Sequence, residues 1–253
     1  MDAIEYFEKN SYVIIKDILP KEVTKFIYNY FVMKGCTNQD FSTSLDQGED
    51  ISLKACYGDL NAETICSFLE NSRYEVHLDQ WEITILPCIN PYGFENDTRE
   101  NHDNQDLNRL FKDQLPPLEV QLAKSTFKPS YFDITIELHE DSDSHGYYLF
   151  QKSNQPNGLE IGFKIIGALK EIIPINFDEI IESMPAEKGV IHRIKDIEEM
   201  AWWPMAGYSL AMKSGHCLTL ETPTQLAMST RVSAHLVALD QALMYCSQKK
   251  PQC

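Results

Sequence analysis

Basic residues are scarce in this sequence: 22 Lys and Arg stand against 38 Asp and Glu, giving a formal net charge of -16 over 253 residues. Neutralising phosphates takes clustered Lys and Arg, and here they are scattered, which disfavours nucleic acid and an anionic membrane surface as partners. No hydrophobic run approaches the length of a membrane span. The opening MDAIEYFEKN also lacks the basic-then-apolar pattern of a secretory signal. The expectation is a globular, cytoplasmic protein. Close cysteine pairs are missing too. Cys36, Cys56, Cys66, Cys88, Cys217, Cys246 and Cys253 stand apart in apolar or terminal contexts, so there is no zinc knuckle or redox motif, and reduced thiols are expected. Internal repeats and low-complexity tracts are absent.

What is present is an alternation of strand-like and helix-like segments. Residues 1–50 read as an amino-terminal helix and strand segment ending in CTNQDFSTSLDQGED, a polar, turn-rich linker. From residue 51 to 253 the pattern is that of one α/β domain. ISLKACYGD reads as strand and turn, LNAETICSFLENS as helix, and WEITILPCINP as a strand buried on both faces. PPLEVQLAKSTF reads as helix, YFDITIELHED as strand, LEIGFKIIGALKEII as helix, GHCLTLETP as strand, and LAMSTRVSAHLVALDQALMYC as a long final helix. Such alternation predicts an α/β fold, a mostly parallel mixed sheet covered by helices on both faces. In sheets of this kind functional groups gather beyond the carboxyl ends of strands. Three polar clusters fall at such ends: Asn90 onward, His139-Glu140-Asp141, and Glu221.

The stretch NPYGFENDTRENHDNQDLNRLF, with LHED and LTLETP further on, resembles the zinc carboxypeptidases, together with their succinylglutamate desuccinylase and aspartoacylase relatives. The resemblance runs from about Cys56 to Cys246. It implies a carboxypeptidase-like hydrolase that cleaves an amide bond next to a free carboxylate, with one zinc ion as cofactor and a small peptide or acylated amino acid as substrate. Residue by residue, it implies that His139 ligates the metal and that Glu221 takes a proton from the attacking water and returns it to the leaving amine. Arg99 would face the oxyanion. Asn108 and Arg109 would hold the substrate carboxylate, and Tyr208 falls where the family has a substrate-contacting tyrosine.

The sequence departs from the family at its first two metal ligands. Where the pattern has a His-Gly-x-Glu turn, this chain reads CYGDLNAET, with Tyr57 in place of the histidine and Leu60 in place of the glutamate. Zinc favours thiolate, imidazole or carboxylate donors. Three explanations stay open: other donors (Asp59, Glu63, Cys56, His77 or His102) complete the site; the chain has lost the metal and only binds carboxylates; or its amino-terminal part has a different descent. For the last, IEYFEKNSYVIIKDILPKEVTKFIYNYFVMKG resembles the opening of iron and 2-oxoglutarate dependent oxygenases, whose facial triad begins with a His-x-Asp pair. His77-Leu78-Asp79 has that form and is read here as a surface loop pair.

Other polar features have plainer expectations. The acidic run Glu137 to Asp143 reads as a solvated loop around His139, and His145 as a loop histidine. Trp202 and Trp203, beside Pro204, could line a pocket but read by default as core. The sequence assigns no partner to His192, His216 or His235, and leaves the oligomeric state open.

Overall fold

A computed structural model describes residues 60–86, 88–96, 98–127, 131–156, 158–192 and 196–249. These lie in the second of two units into which the chain divides, Gly58–Cys253. The amino-terminal helix and strand, the linker, the ISLKACYGD strand and Tyr57 lie outside the described residues. In chain order the helices α1 (Leu60–Glu70), α2 (Glu75–Gln80), α3 (Pro91–Asn96) and α4 (Leu118–Phe127) precede strands β1 (Ile134–Asp141) and β2 (Tyr148–Ser153). Then come α5 (Glu160–Leu169), the short strands β3 (Ile180–Ile181), β4 (Met184–Pro185) and β5 (Val190–Ile191), α6 (Met205–Ala211), β6 (His216–Pro223) and α7 (Met228–Lys249).

The main sheet has the order β1-β6-β2-β5. β1 with β6 and β2 with β5 pair parallel, and β2 runs antiparallel to β6. The mostly parallel mixed sheet expected from the alternation is therefore present.

Strand period decides which side chains reach which layer. Ile134, Ile136 and Leu138 of β1 and Leu218 and Leu220 of β6 face one large core. Thr135, Glu137 and His139, with Cys217, Thr219 and Glu221, therefore face the other way. The first face is covered by α5 and α7. Ala234, Ala238 and Ala242 recur every fourth residue and are fully buried, so α7 presents a stripe of small side chains that lets it lie close to the sheet. α5 contributes Ile161, Ile165, Ile166 and Leu169, all buried. Burying each of these large side chains is worth about 1.5–3 kcal/mol. Over the opposite face lies α6, whose Ser209 Oγ is 2.7 Å from Thr135 Oγ1 and 3.5 Å from Cys217 Sγ. No helix among the described residues is long and apolar enough to cross a membrane.

Two local expectations are corrected. The described residues of WEITILPCI, read as a buried strand, have no regular structure, and Ile83 and Leu86 are each 37% exposed. No described strand pairs with them, and an apolar run becomes a strand only where a neighbouring strand offers a ladder. His77 to Asp79, read as a surface pair, lies on α2. His77 is 2% exposed and its Nε2 lies 2.8 Å from Asp240 Oδ1 of α7, so it ties α2 to the final helix and is not half of an iron site.

Candidate active site

The parallel register sets His139 directly beside Glu221 at the carboxyl ends of β1 and β6. His139 Nδ1 is 3.4 Å from Glu221 Oε1, and its Nε2 is 3.5 Å from Glu137 Oε2, two residues back on the same face. Both ring nitrogens thus meet a carboxylate. Burial by itself lowers the His139 pKa, but the hydrogen bonds and charges of Glu137 and Glu221 outweigh it and raise the value to about 10. Glu137 is buried. Its Oε2 accepts from Thr219 Oγ1 at 3.4 Å, while Oε1 has no hydrogen-bond partner among the described residues.

Tyr148 lies opposite Glu221 across the β2–β6 ladder, extending the polar row by one strand. Its hydroxyl donates to Asp141 Oδ2 at 2.9 Å. Burial first, then the charges of Glu221 and Asp141, keep that hydroxyl protonated well above the ordinary tyrosine range. The sequence reading passed over Tyr148, although the aromatic run GYYLFQ at a strand-like spacing was its signal. Behind the row, His235 of α7 is fully buried, with Nδ1 3.4 Å from the Tyr147 hydroxyl. Burial lowers its pKa to about 3. Arg231 of the same helix pairs with Glu140.

The arginine loop is built by side chains that fold the backbone. At the Asn-Pro-Tyr-Gly turn, Gly93 N donates to Asn90 Oδ1 at 3.0 Å, and Asn90 Nδ2 donates to the carbonyl of Arg99 at 2.9 Å. A Cβ on Gly93 would meet Thr98 O at 2.4 Å, so only glycine allows this close approach. Asn101, 2% exposed, accepts the backbone N–H groups of Asp103 and Gln105 through Oδ1, each at 3.1 Å. That folds the following segment back so that Asp106 faces the arginines. Arg99 Nε binds Asp106 Oδ2 at 2.7 Å, and Arg109 Nε lies 3.8 Å from the same oxygen. Two guanidiniums share one carboxylate, so these three side chains carry a net positive charge within a loop that is acidic as a whole. Burial draws Arg109 below its ordinary pKa, partly offset by Asp106.

Two of the side chains assigned to substrate have other work. Asn108 Oδ1 accepts from the backbone N–H of Met205 at 2.8 Å, which fastens the loop to α6. Tyr208 is 8% exposed and packs its ring against Phe111 and Phe127. Its ring lies in the core because the short α6 turns that face toward α4.

Between the two groups stands Glu182, at the tip of the β3–β4 hairpin, where Glu182 and Ser183 have φ of 52° and 59°. Its carboxyl is raised by burial first, then by Asp141, Glu221 and Asp143, and Arg99 opposes the rise. Glu182 thus lies within electrostatic reach of both the strand-end carboxylates and the arginine loop.

A carboxypeptidase-like fold implies zinc, and the described residues do not fit it. Among them no group of three or more His, Cys, Asp or Glu is placed to hold a metal ion. Leu60, in place of the glutamate ligand, is an apolar side chain at 2% exposure. His139 has both nitrogens turned to carboxylates. Of the alternative donors, Cys56 and Asp59 lie outside the described residues, His77 is held by Asp240, and His102 has a 61% exposed side chain beside Asp103.

Comparison with known proteins agrees with the fold. The crystal structure of a candidate metallopeptidase from Shewanella denitrificans superposes with a TM-score of 0.62 at 21% identity, covering 74% of this chain and 70% of that one. Others from Shewanella baltica and Shewanella amazonensis give 0.60 at 21% and 19% identity, covering 74% of this chain and 71% and 72% of theirs. No curated protein matches the sequence. None of these comparisons supports the oxygenase reading of the amino-terminal segment, whose residues precede the family match. The succinylglutamate desuccinylase/aspartoacylase catalytic domain matches residues 59–244, and the chain belongs to that family of hydrolases with the carboxypeptidase-like fold.

Proposed function

We propose that this chain recognises a small amide bearing a free carboxylate, a peptide or an acylated amino acid, and hydrolyses the amide. The observation that carries the reading is the guanidinium pair around Asp106, fixed by the Asn90–Gly93 turn and by Asn101. A planar guanidinium fork suits a carboxylate, and a second fixed cation suits an oxyanion. In this scheme Arg109 binds the substrate carboxylate and Arg99 faces the carbonyl oxygen. Water attacks the carbonyl carbon while Glu221 accepts its proton. The C–N bond then breaks as Glu221 delivers that proton to the leaving nitrogen. His139, between Glu137 and Glu221, orients the Glu221 carboxylate.

Zinc belongs to this proposal only through donors beyond the described residues. Elemental analysis of protein purified without chelators tests the point. Near one zinc per chain, lost in His139→Ala, means that donors outside the described residues complete a metal site together with His139. A second reading, a carboxylate-binding protein without turnover, is favoured by Leu60 at the position of a ligand. Assay of N-acyl amino acids with wild type and Glu221→Gln separates the two. Glu221-dependent turnover supports hydrolysis, whereas binding that needs Arg109 but shows no turnover supports the second reading.

A further inference from the structure

Trp202 was expected in the core, yet it is 39% exposed, and the Arg109 Cζ lies 3.9 Å from the centroid of its ring. At that distance the guanidinium is stacked on the indole, a contact that fixes the plane of the guanidinium as well as attracting its charge. The stacking partner is itself anchored. The backbone N–H of Phe111 donates to Trp203 O at 3.2 Å, Leu110 and Trp203 form a parallel bridge, and Lys112 Nζ donates to Met200 O at 2.6 Å. Trp203 Nε1 donates to Ile197 O at 2.7 Å. The Met200–Met205 segment is therefore stitched to the arginine loop along its length, and Trp202 is carried on it.

The donors of Arg109 can be counted. Of five N–H groups, Nε is turned to Asp106 at 3.8 Å and one on Nη1 goes to Asn108 O at 3.2 Å. The two on Nη2 bond to no described residue. Neighbours thus take the Nε side and one Nη1 N–H, the indole covers one face, and the edge carrying the second Nη1 N–H and those of Nη2 is left for a ligand. A guanidinium held flat in this way can meet a ligand only in its own plane, which suits the planar, two-oxygen acceptor of a carboxylate.

We propose that Trp202 is the positioning residue for Arg109, holding the guanidinium in the plane that receives a single substrate carboxylate. The inference rests on the function proposed above and names the side chain that gives the clamp its geometry.

The test measures binding of N-acetylglycine, the simplest amide flanked by a carboxylate, by NMR titration of full-length wild type, Trp202→Ala, Trp202→Phe, Arg109→Ala and the Trp202→Ala/Arg109→Ala double variant. Trp202→Ala is expected to weaken binding about threefold to tenfold, the range of a partly exposed cation–π contact. Trp202→Phe, which keeps a ring under the guanidinium, restores binding to within about twofold of wild type. The double variant binds no more weakly than Arg109→Ala, because the indole acts only through the guanidinium. The Phe variant keeps the test decisive if the alanine variant folds poorly. Trp202→Ala binding like wild type while Arg109→Ala binds weakly would overturn the inference and leave the clamp standing, as would losses that simply add in the double variant. No binding by wild type, or binding indifferent to Arg109→Ala, would overturn the clamp itself and the inference with it.

Discussion

Replacing Glu221 by Gln removes one of the two carboxylates that face His139, and the effect can be worked out before it is measured. In the metal-free protein burial pulls the imidazole down, and Glu137 and Glu221 together raise its pKa to about 10 from 6.5. The two lie at nearly equal distances, 3.5 and 3.4 Å, so their contributions to the lift are comparable. With Glu221 neutralised the value falls by more than half of its rise above 6.5, because the burial that both carboxylates offset stays in place. The assay is an NMR titration of the histidine Cε1–H signals in chelator-treated protein, with His139→Gln to assign the resonance. Because the folded value exceeds the unfolded one, the stability this histidine contributes is fully present below about pH 6.5 and is lost as pH rises through about 10. Glu221→Gln should bring the end of that alkaline loss to lower pH. A wild-type His139 that titrates near 6.5, or one unmoved by Glu221→Gln, would refute the three-residue arrangement.

His235 gives the opposite limb: held neutral by burial with a pKa of about 3, it contributes stability that is complete above pH 6.5 and lost as pH falls toward 3. Urea unfolding at a series of pH values should show a shallower acid decline in His235→Gln. Gly93→Ala should displace the Thr98 carbonyl, which would lie 2.4 Å from the new Cβ, and so shift Arg99. Slower turnover of an N-acyl amino acid with little change in the urea midpoint is the expected outcome. Leu220, fully buried beside Glu221 in sequence, should cost about 2–5 kcal/mol as Leu220→Ala in equilibrium unfolding.

How much of this was legible in the sequence depends on where the information was local. β1, β6, α5 and α7 could be read because their apolar spacing matches the faces they bury, whereas the register that sets His139 beside Glu221 is a pairing that no spacing along the sequence reports. The Trp81 to Ile89 segment misled because composition alone cannot report whether a neighbouring strand exists to pair with it. Tyr148 was missed because its importance comes from lying across a ladder from Glu221, a relation with no sequence spacing. Trp202 failed in the reverse direction. An aromatic pair reads as core by default, yet here Trp203 donates its indole N–H inward to Ile197 while Trp202 stays at the surface over Arg109. Asn108 and Tyr208 show the same limit, since what they touch lies on segments about a hundred and several tens of residues away, respectively.

Asp106 carries a consequence of its own. A carboxylate that already binds Arg99 at 2.7 Å and faces Arg109 is, chemically, a tethered copy of the group the loop would capture. Because Asp106 holds the Nε sides, an arriving carboxylate takes the open edge of Arg109 beside a resident one whose charge already offsets the pair and, being tethered by the fold, cannot be diluted away. Such a site trades tightness for selectivity, because a ligand that offers only negative charge gains little over Asp106. Only one that also fills the plane above Trp202 and reaches toward Glu221 has something the resident group lacks.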